Sequence, residues 1–471
     1  MNRREFIRNT SLLASTAMLG SAAGAAASEF PVVRIAEAKR RFKSAAVERA
    51  IARVKSSIGN KELAWMFENC FPNTLDTTVD FEMSGGRPDT YVITGDIDAM
   101  WLRDSSAQVW PYLPLTKEDE ALRQLIAGVI NRQTRCILKD PYANAFYKDE
   151  KKISDWRRDA TDMKPGVHER KWEIDSLCYT IRLAHGYWKT TGDTSPFDDQ
   201  WQEAVLRIPR TFREQQRKHD RGPYHFQRNT STPTDSLPGG GYGNPAKPVG
   251  LIFSMFRPSD DATVFPFLVP SNFFAVVSLR QAADMLEQIR HDAAAAADCR
   301  ALADEVAGAL RQYAVANPLG FGNIHPYEVD AFGNSYCIDD GNIPSLLSLP
   351  YIGAAAADDP LYVNTRRYVL SSSNPYYCKG KAAEGPGGPH VGMDMIWPLG
   401  IITRGLTSSD DQEIRACLET LRQTHAGTGF MHEAFHKDDP KKFTRSWFAW
   451  ANTIFGELVL KTFQERPHLL D

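Results

Sequence analysis

Beyond its N-terminus the chain has no run of 18 or more apolar residues, so no membrane-spanning helix is expected. Cysteine is sparse. There are seven in 471 residues: Cys70, Cys136, Cys178, Cys299, Cys337, Cys378 and Cys417. They are scattered, odd in number and never in a Cys-x-x-Cys pair, which argues against a disulfide framework in a chain of this size. Cys178 falls inside an apolar helical pattern and reads as a buried thiol. Neither charge dominates, with 55 Lys+Arg against 58 Asp+Glu. No Lys/Arg-rich run stands out, so no nucleic-acid footprint is expected. Metal-ligand spacing is scarce as well. His-x-x-x-His occurs once, from His432 to His436 around Glu433, and the following Lys437-Asp438-Asp439-Pro440 reads as a turn. Zinc would need both rings on one helix, and Asp438-Asp439 offers at most a loop calcium contact. Gly239-Gly240-Gly241-Tyr242-Gly243 lacks the Lys-Ser/Thr of a phosphate loop. No metal or cofactor is expected.

Apolar residues make up 42% of the chain and aromatics 11%, enough for a large core. Residues 1–27 read as a leader. Arg3-Arg4-Glu5-Phe6-Ile7 precedes a weakly apolar stretch, 11–23, and the small-residue run Ala25-Ala26-Ala27. Paired arginines before a bulky apolar pair fit a twin-arginine signal. Export of the folded chain through the Tat machinery, to the periplasm or otherwise outside the cytoplasm, is the expectation. Removal of those residues takes away three Arg and one Glu, moving the net charge from −3 to −5. Folding before export would also suit free thiols.

The remaining residues, 31–471, are expected to form one catalytic domain, because no composition shift marks a linker. Residues 172–190 carry Ile174, Leu177, Ile181, Ala184 and Trp188 at steps of three and four, an amphipathic helix. Further helical patterns cover 44–56, 60–70, 118–138, 200–217, 272–290, 295–315, 410–424 and 447–463. Extended patches are short, at 78–83, 90–93 and 251–256. Long loops at 230–248, 320–343, 379–392 and 427–442 mix glycine with aromatics, acids and histidines, which marks them as functional. Helices joined alternately by short and long connections predict an all-α toroid of helix pairs with its loops crowding one end.

Acids beside aromatics and arginines in such loops point to glycan chemistry. Cleaving a glycosidic bond needs one carboxyl to protonate the leaving oxygen and a second to activate water or attack directly. Sugar rings also need aromatic faces and polar forks. The densest run is Thr94-Gly95-Asp96-Ile97-Asp98-Ala99-Met100-Trp101-Leu102-Arg103-Asp104. Arg103 and Asp104 read either as a buried ion pair or as a fork for sugar hydroxyls, and Asp96 as the N-cap of the helix that follows.

This run resembles glycoside hydrolase family 125, the bacterial and fungal exo-α-1,6-mannosidases. Five further blocks carry the resemblance along nearly the whole chain. They are Glu169-Arg170-Lys171-Trp172-Glu173-Ile174-Asp175, Phe256-Arg257-Pro258-Ser259-Asp260-Asp261, Asp339-Asp340-Gly341-Asn342-Ile343-Pro344, Gly388-Pro389-His390 with Ile396-Trp397-Pro398, and His432-Glu433-Ala434-Phe435 with Arg445 to Asn452. The resemblance implies an (α/α)6 barrel that releases terminal mannose from α-mannosides, with inversion and without metal. Short β-hairpins are expected around the active-site end. The acid matches Asp260, with Asp261 as the alternative, since sequence does not separate adjacent acids. The base matches Glu433. Inversion implies the two carboxyls about 6.5–9.5 Å apart, with a water between. Burial beside the apolar stretch 264–269 would help Asp260 hold its proton. Arg257 would oppose this if it paired with the acid, which leaves Asp261 or a sugar as its expected partner. Trp101, Arg103, Asp104, Glu173, Arg257, Asp261, Asn342, His390 and Arg445 are the expected substrate-binding residues, and a mannose-terminated glycan the expected partner. Trp397 and Trp447 read as core. The runner-up readings are a calcium-dependent α-1,2-mannosidase and a glycan-binding protein without catalysis.

Overall fold

The computed structural model describes residues 30–471. The leader expected over residues 1–27 lies outside them. The described chain is mostly helical. Among these residues no helix is long and apolar enough to cross a membrane, and all seven cysteines are free thiols.

The helices fall into two kinds, told apart by how they begin. One kind starts at a polar residue whose side chain accepts from the first turn, satisfying an otherwise orphaned N–H. Ser44, Asn60, Asp119, Asp198, Asp292, Asp359 and Asp410 do this for Ala45–Ser57, Lys61–Cys70, Glu120–Lys139, Asp199–Glu214, Ala293–Tyr313, Pro360–Val369 and Asp411–Thr424. The other kind, leaving aside the short Asn73–Thr77, starts with no side-chain cap, after Trp101, Glu173, Leu268, Trp397 and Phe448. These are Leu102–Val109, Ile174–Thr191, Val269–Gln288, Pro398–Leu406 and Ala449–Glu465. Most of their residues are buried, and they pack on one another. Val269–Gln288 lies on Ile174–Thr191, which lies on Leu102–Val109; that helix packs on Ala449–Glu465, which packs on Pro398–Leu406. Each also packs against a capped helix, as Val269–Gln288 does on Ala293–Tyr313 and Pro398–Leu406 on Asp411–Thr424.

Short antiparallel sheets gather where the uncapped helices begin. Met100–Trp101, Ala145–Phe146 and Val167–Glu169 form one. Phe267–Leu268, Glu328–Val329 and Ser335–Tyr336 form a second. Met395–Ile396, Phe435–His436 and Asp439–Phe443 form a third. The end of the molecule that carries the uncapped N-termini is therefore the end that carries the long loops. Most expected helices appear within a few residues of their boundaries. The extended patch expected at 251–256 is instead a buried loop. Its backbone is satisfied by a side chain: Ile252 N–H donates to Asn272 Oδ1 at 2.8 Å and Asn272 Nδ2 donates to Ile252 O at 3.0 Å. Helices Pro360–Val369 and Pro398–Leu406 had no counterpart in the sequence reading.

Candidate active site

A pit enclosing about 410 Å³ of space, open solvent at its mouth included, lies among the uncapped helix starts. Trp101, Arg103 and Asp104 reach it from the first turn of Leu102–Val109, and Phe448 and Trp450 from the start of Ala449–Glu465. Loops supply Thr94, Ile97, Pro258, Ser259 and Asp260, then Asn342, His390, Trp397, Glu433 and Arg445. Both proposed catalytic carboxyls thus face one cavity, although 173 positions separate Asp260 from Glu433 in the chain.

Arg103 is the hub. It is 4% exposed, and its Nη1 lies 2.6 Å from Glu173 Oε2 and 3.4 Å from Asp175 Oδ2. Its Nη2 is 3.3 Å from Asp260 Oδ1, and its Nε is 3.4 Å from Asp104 Oδ2. Four carboxyls around one guanidinium exceed what a single charge can balance. Burial pushes Glu173 well above the usual carboxylate range, against the pull of Arg103 and with added repulsion from Asp260 and Asp175. Burial likewise raises Asp104 and Asp175 to about 6. The cluster therefore keeps protons near neutral pH. Arg103 and Asp104 form the ion pair, and both also line the pit.

Asp260 enters the pit from a backbone turn with φ 67°, left-handed for a non-glycine residue. Its N–H donates to Arg257 O at 2.8 Å, and Arg257 N–H donates to Asp261 O at 2.8 Å. Asp261 points elsewhere. Its Oδ1 is 3.2 Å from His390 Nδ1, and although burial works upward, His390, Arg257 and Lys171 together hold it below the usual carboxylate range. Glu433 follows His432 in the loop before the hairpin Phe435–His436/Asp439–Phe443 and is partly exposed. Its Oε1 lies 3.5 Å from Arg445 Nη1, and Arg445 also pairs with Asp96.

Several sequence expectations need correction. Arg257 is not at the pit: its Nε donates to Glu328 Oε1 at 2.6 Å, while its guanidinium lies 5.6 Å from the Tyr327 ring centroid. Glu328 also accepts from Val264 and Phe265 N–H, so the pair anchors the loop after the acid instead of a sugar. Glu173, 1% exposed, lies behind Arg103, out of reach of a ligand, and Asp261 is the partner of His390. Asp96 does not cap a helix; it pairs with Arg445 at the rim. Trp397, read as core, is both buried and part of the pit wall, while Trp447 is half-buried and packs over Gly95, where φ is 128° and a Cβ would sit 3.1 Å from the indole.

Other residues escaped the sequence reading. Asp340 accepts from Ser259 Oγ at 2.9 Å and Asn342 Nδ2 at 3.0 Å, so it joins two stretches of pit wall. Its place in Asp339-Asp340-Gly341-Asn342 was the available signal. Phe448 and Trp450 were hidden in an apolar helix pattern. The indole N–H groups of Trp101 and Trp397 have no hydrogen-bond partner among the described residues. Buried donors of this kind in a pit wall are suited to sugar hydroxyls. Among the described residues no group of three or more His, Cys, Asp or Glu is arranged to hold a metal. His432 stacks on Phe443 at 4.0 Å between centroids, with Nδ1 2.9 Å from Arg445 O.

The family described as metal-independent α-mannosidase (GH125) matches residues 60–460. The chain belongs to this family. As a GH125 member it is a glycoside hydrolase, and the sequence alternatives of a calcium-dependent enzyme and a non-catalytic binder lose their support. A protein of Schizosaccharomyces pombe, the meiotically up-regulated gene 157 protein, is 42% identical over 459 residues, covering 93% of this chain and 90% of that one. A Streptococcus pneumoniae structure from a family of metal-independent α-mannosidases, a non-productive complex with α-1,6-mannobiose, is 41% identical. It has a TM-score of 0.87 and covers 90% of this chain and 100% of its own. A bacterial glucoamylase complexed with acarbose shares the fold alone, with 13% identity, a TM-score of 0.54 and 89% of this chain and 59% of that one covered.

Proposed function

We propose that this α-mannosidase releases single mannoses from the non-reducing ends of α-1,6-linked glycans, with inversion. Asp260 is the acid and Glu433 the base. The observation that carries the reading is the sharing of one pit by two carboxyls in different company. Asp260 shares Arg103 with Asp104, Glu173 and Asp175, three carboxyls that burial raises. Glu433, beside Arg445, is partly open to water. A proton on the first reaches the leaving oxygen, and the second takes one from the attacking water. Trp101, Arg103, Asp104, Asn342, His390 and Arg445 grip the sugar. The α-1,6 preference draws on the mannobiose seen with the Streptococcus pneumoniae relative.

The scaffold is, in this reading, an (α/α)6 toroid formed by one catalytic domain over 31–471. Its support is the alternation of capped and uncapped helices and the mutual packing of the uncapped ones. The paired arginines near the N-terminus support export by the Tat route. Proton NMR of dilute enzyme on α-1,6-mannobiose tests the chemistry. β-Mannose is expected first, and Glu433→Gln is expected to lower kcat by at least about 10²-fold, the usual worth of general base catalysis. First appearance of α-mannose would reject inversion.

A further inference from the structure

We propose that Lys171 is the positioning residue of the acid: by holding the main-chain carbonyl of Asp260 it keeps the left-handed turn that aims the carboxyl into the pit. The inference rests on the reading of Asp260 as the acid. Lys171 has no exposed surface. Its Nζ donates to the Asp260 carbonyl at 2.9 Å and to Asp235 Oδ1 at 2.6 Å, with Glu169 Oε1 at 3.6 Å. Of these three acceptors only the carbonyl belongs to the pit segment.

The geometry gives that bond a specific task. Asp260 sits at φ 67°, a region aspartate tolerates but does not prefer. Its own N–H is tied to Arg257 O, and Arg257 N–H to Asp261 O, which fixes the chain before Asp260 and after Asp261. Neither bond acts on the peptide joining Asp260 to Asp261, where the two acids part company, one toward Arg103 and the other toward His390. Lys171 holds that peptide. Counter-charge for Asp235 does not depend on it alone, because Arg228 Nη1 lies 3.1 Å from Asp235 Oδ1 and Arg228 Nη2 2.9 Å from Glu169 Oε1. Asp235 and the Thr234 carbonyl, which accepts from Ala262 N–H at 2.7 Å, also latch the 230–248 loop onto the acid turn.

The test uses substrates that differ in their need for an acid. Wild type, Lys171→Met, Lys171→Gln and Asp260→Asn are assayed on α-1,6-mannobiose and on 2,4-dinitrophenyl α-mannoside, whose leaving group departs without a proton. On the disaccharide, Lys171→Met is expected to lose about 10²-fold in kcat, the effect of a catalytic group displaced by about 1 Å, with little change in KM. On the aryl mannoside its loss is expected to stay below about fivefold, because acid catalysis contributes little there. Lys171→Gln keeps an N–H donor and is expected to fall between Lys171→Met and wild type. Both substrates are measured on one preparation, so incomplete folding cancels in their ratio. Equal losses on both substrates would overturn the role of Lys171. If Asp260→Asn itself spares neither substrate, the acid assignment fails and this inference with it. If Asp260→Asn spares the aryl mannoside and Lys171→Met does not, Lys171 alone is wrong.

Discussion

At the base of the pit one guanidinium faces four carboxyls, and the imbalance has a thermodynamic consequence. Glu173 has its pKa raised well above the usual range in the folded chain, and Asp104 and Asp175 reach about 6. Between the unfolded and folded values the native state holds protons that the unfolded state has released. Stability from these groups is therefore fully present at low pH and falls as pH rises, by up to about 1.4 kcal/mol per pH unit and group. Asp104 and Asp175 complete their decline near pH 6; above that pH Glu173 continues it, together with Asp339, which burial raises to about 7. Glu173→Gln, which keeps the shape and cannot ionise, is expected to make the fall of urea midpoint shallower from about pH 5 upward, through pH 8. A wild-type slope above pH 6 in this variant would place the proton elsewhere. Much of this site was legible as residue types: Asp260, Glu433, Arg103, Asp104, Asn342, His390 and Arg445 all reach the pit. What was not legible is direction. Arg257 and Asp261 flank Asp260 in sequence, yet each is claimed by a partner more than 70 positions away, Glu328 and His390. Local spacing carries no record of such pairings.

Most helices, capped or not, declare themselves by periodicity, and Pro360–Val369 escaped in spite of its Asp359 cap. Pro398–Leu406 is buried on nearly every side and begins after Trp397 without a side-chain cap, so it carried neither a periodic pattern nor a cap. The capped ends, in turn, have a job in stability and none in chemistry. Asp119 is the clearest. Its Oδ1 accepts from Leu122 N–H at 3.1 Å and its Oδ2 from Ser44 Oγ at 2.7 Å and Ala46 N–H at 3.3 Å, joining the starts of two helices. These bonds outweigh partial burial and hold its carboxyl below the usual range. Asp119→Ala is expected to cost roughly 1–2 kcal/mol at pH 7, the usual worth of an N-cap, with kcat unchanged. A depressed pKa means that this contribution is present above the unfolded value and is lost as pH falls, so the gap from wild type should narrow below pH 4. Thermal melts of both proteins at pH 7 and pH 3 provide the check; a gap that widens in acid would contradict the capping role.

At the scale of the whole molecule, the direction of the uncapped helices decides what substrate can enter. Three of the five begin at the pit, after Trp101, Trp397 and Phe448, and the partial positive charge of helix N-termini complements Asp104, Glu173 and Asp175 in or beside the first turns. Arg103, Asp104 and Trp450 belong to the helix starts themselves, so the pit is floored by packed helices and opens toward the loops. In the exo reading proposed above, a chain end enters such a site and the packed helices bar a continuous glycan. An α-1,6-mannotriose labelled at its reducing end should therefore lose residues in strict order. Labelled mannobiose is expected to build up before any labelled mannose, and unlabelled mannobiose is not expected at any time. Unlabelled mannobiose in the first minutes, read by mass spectrometry, would mean that the sugar lies across the site and that a helix floor does not bound it.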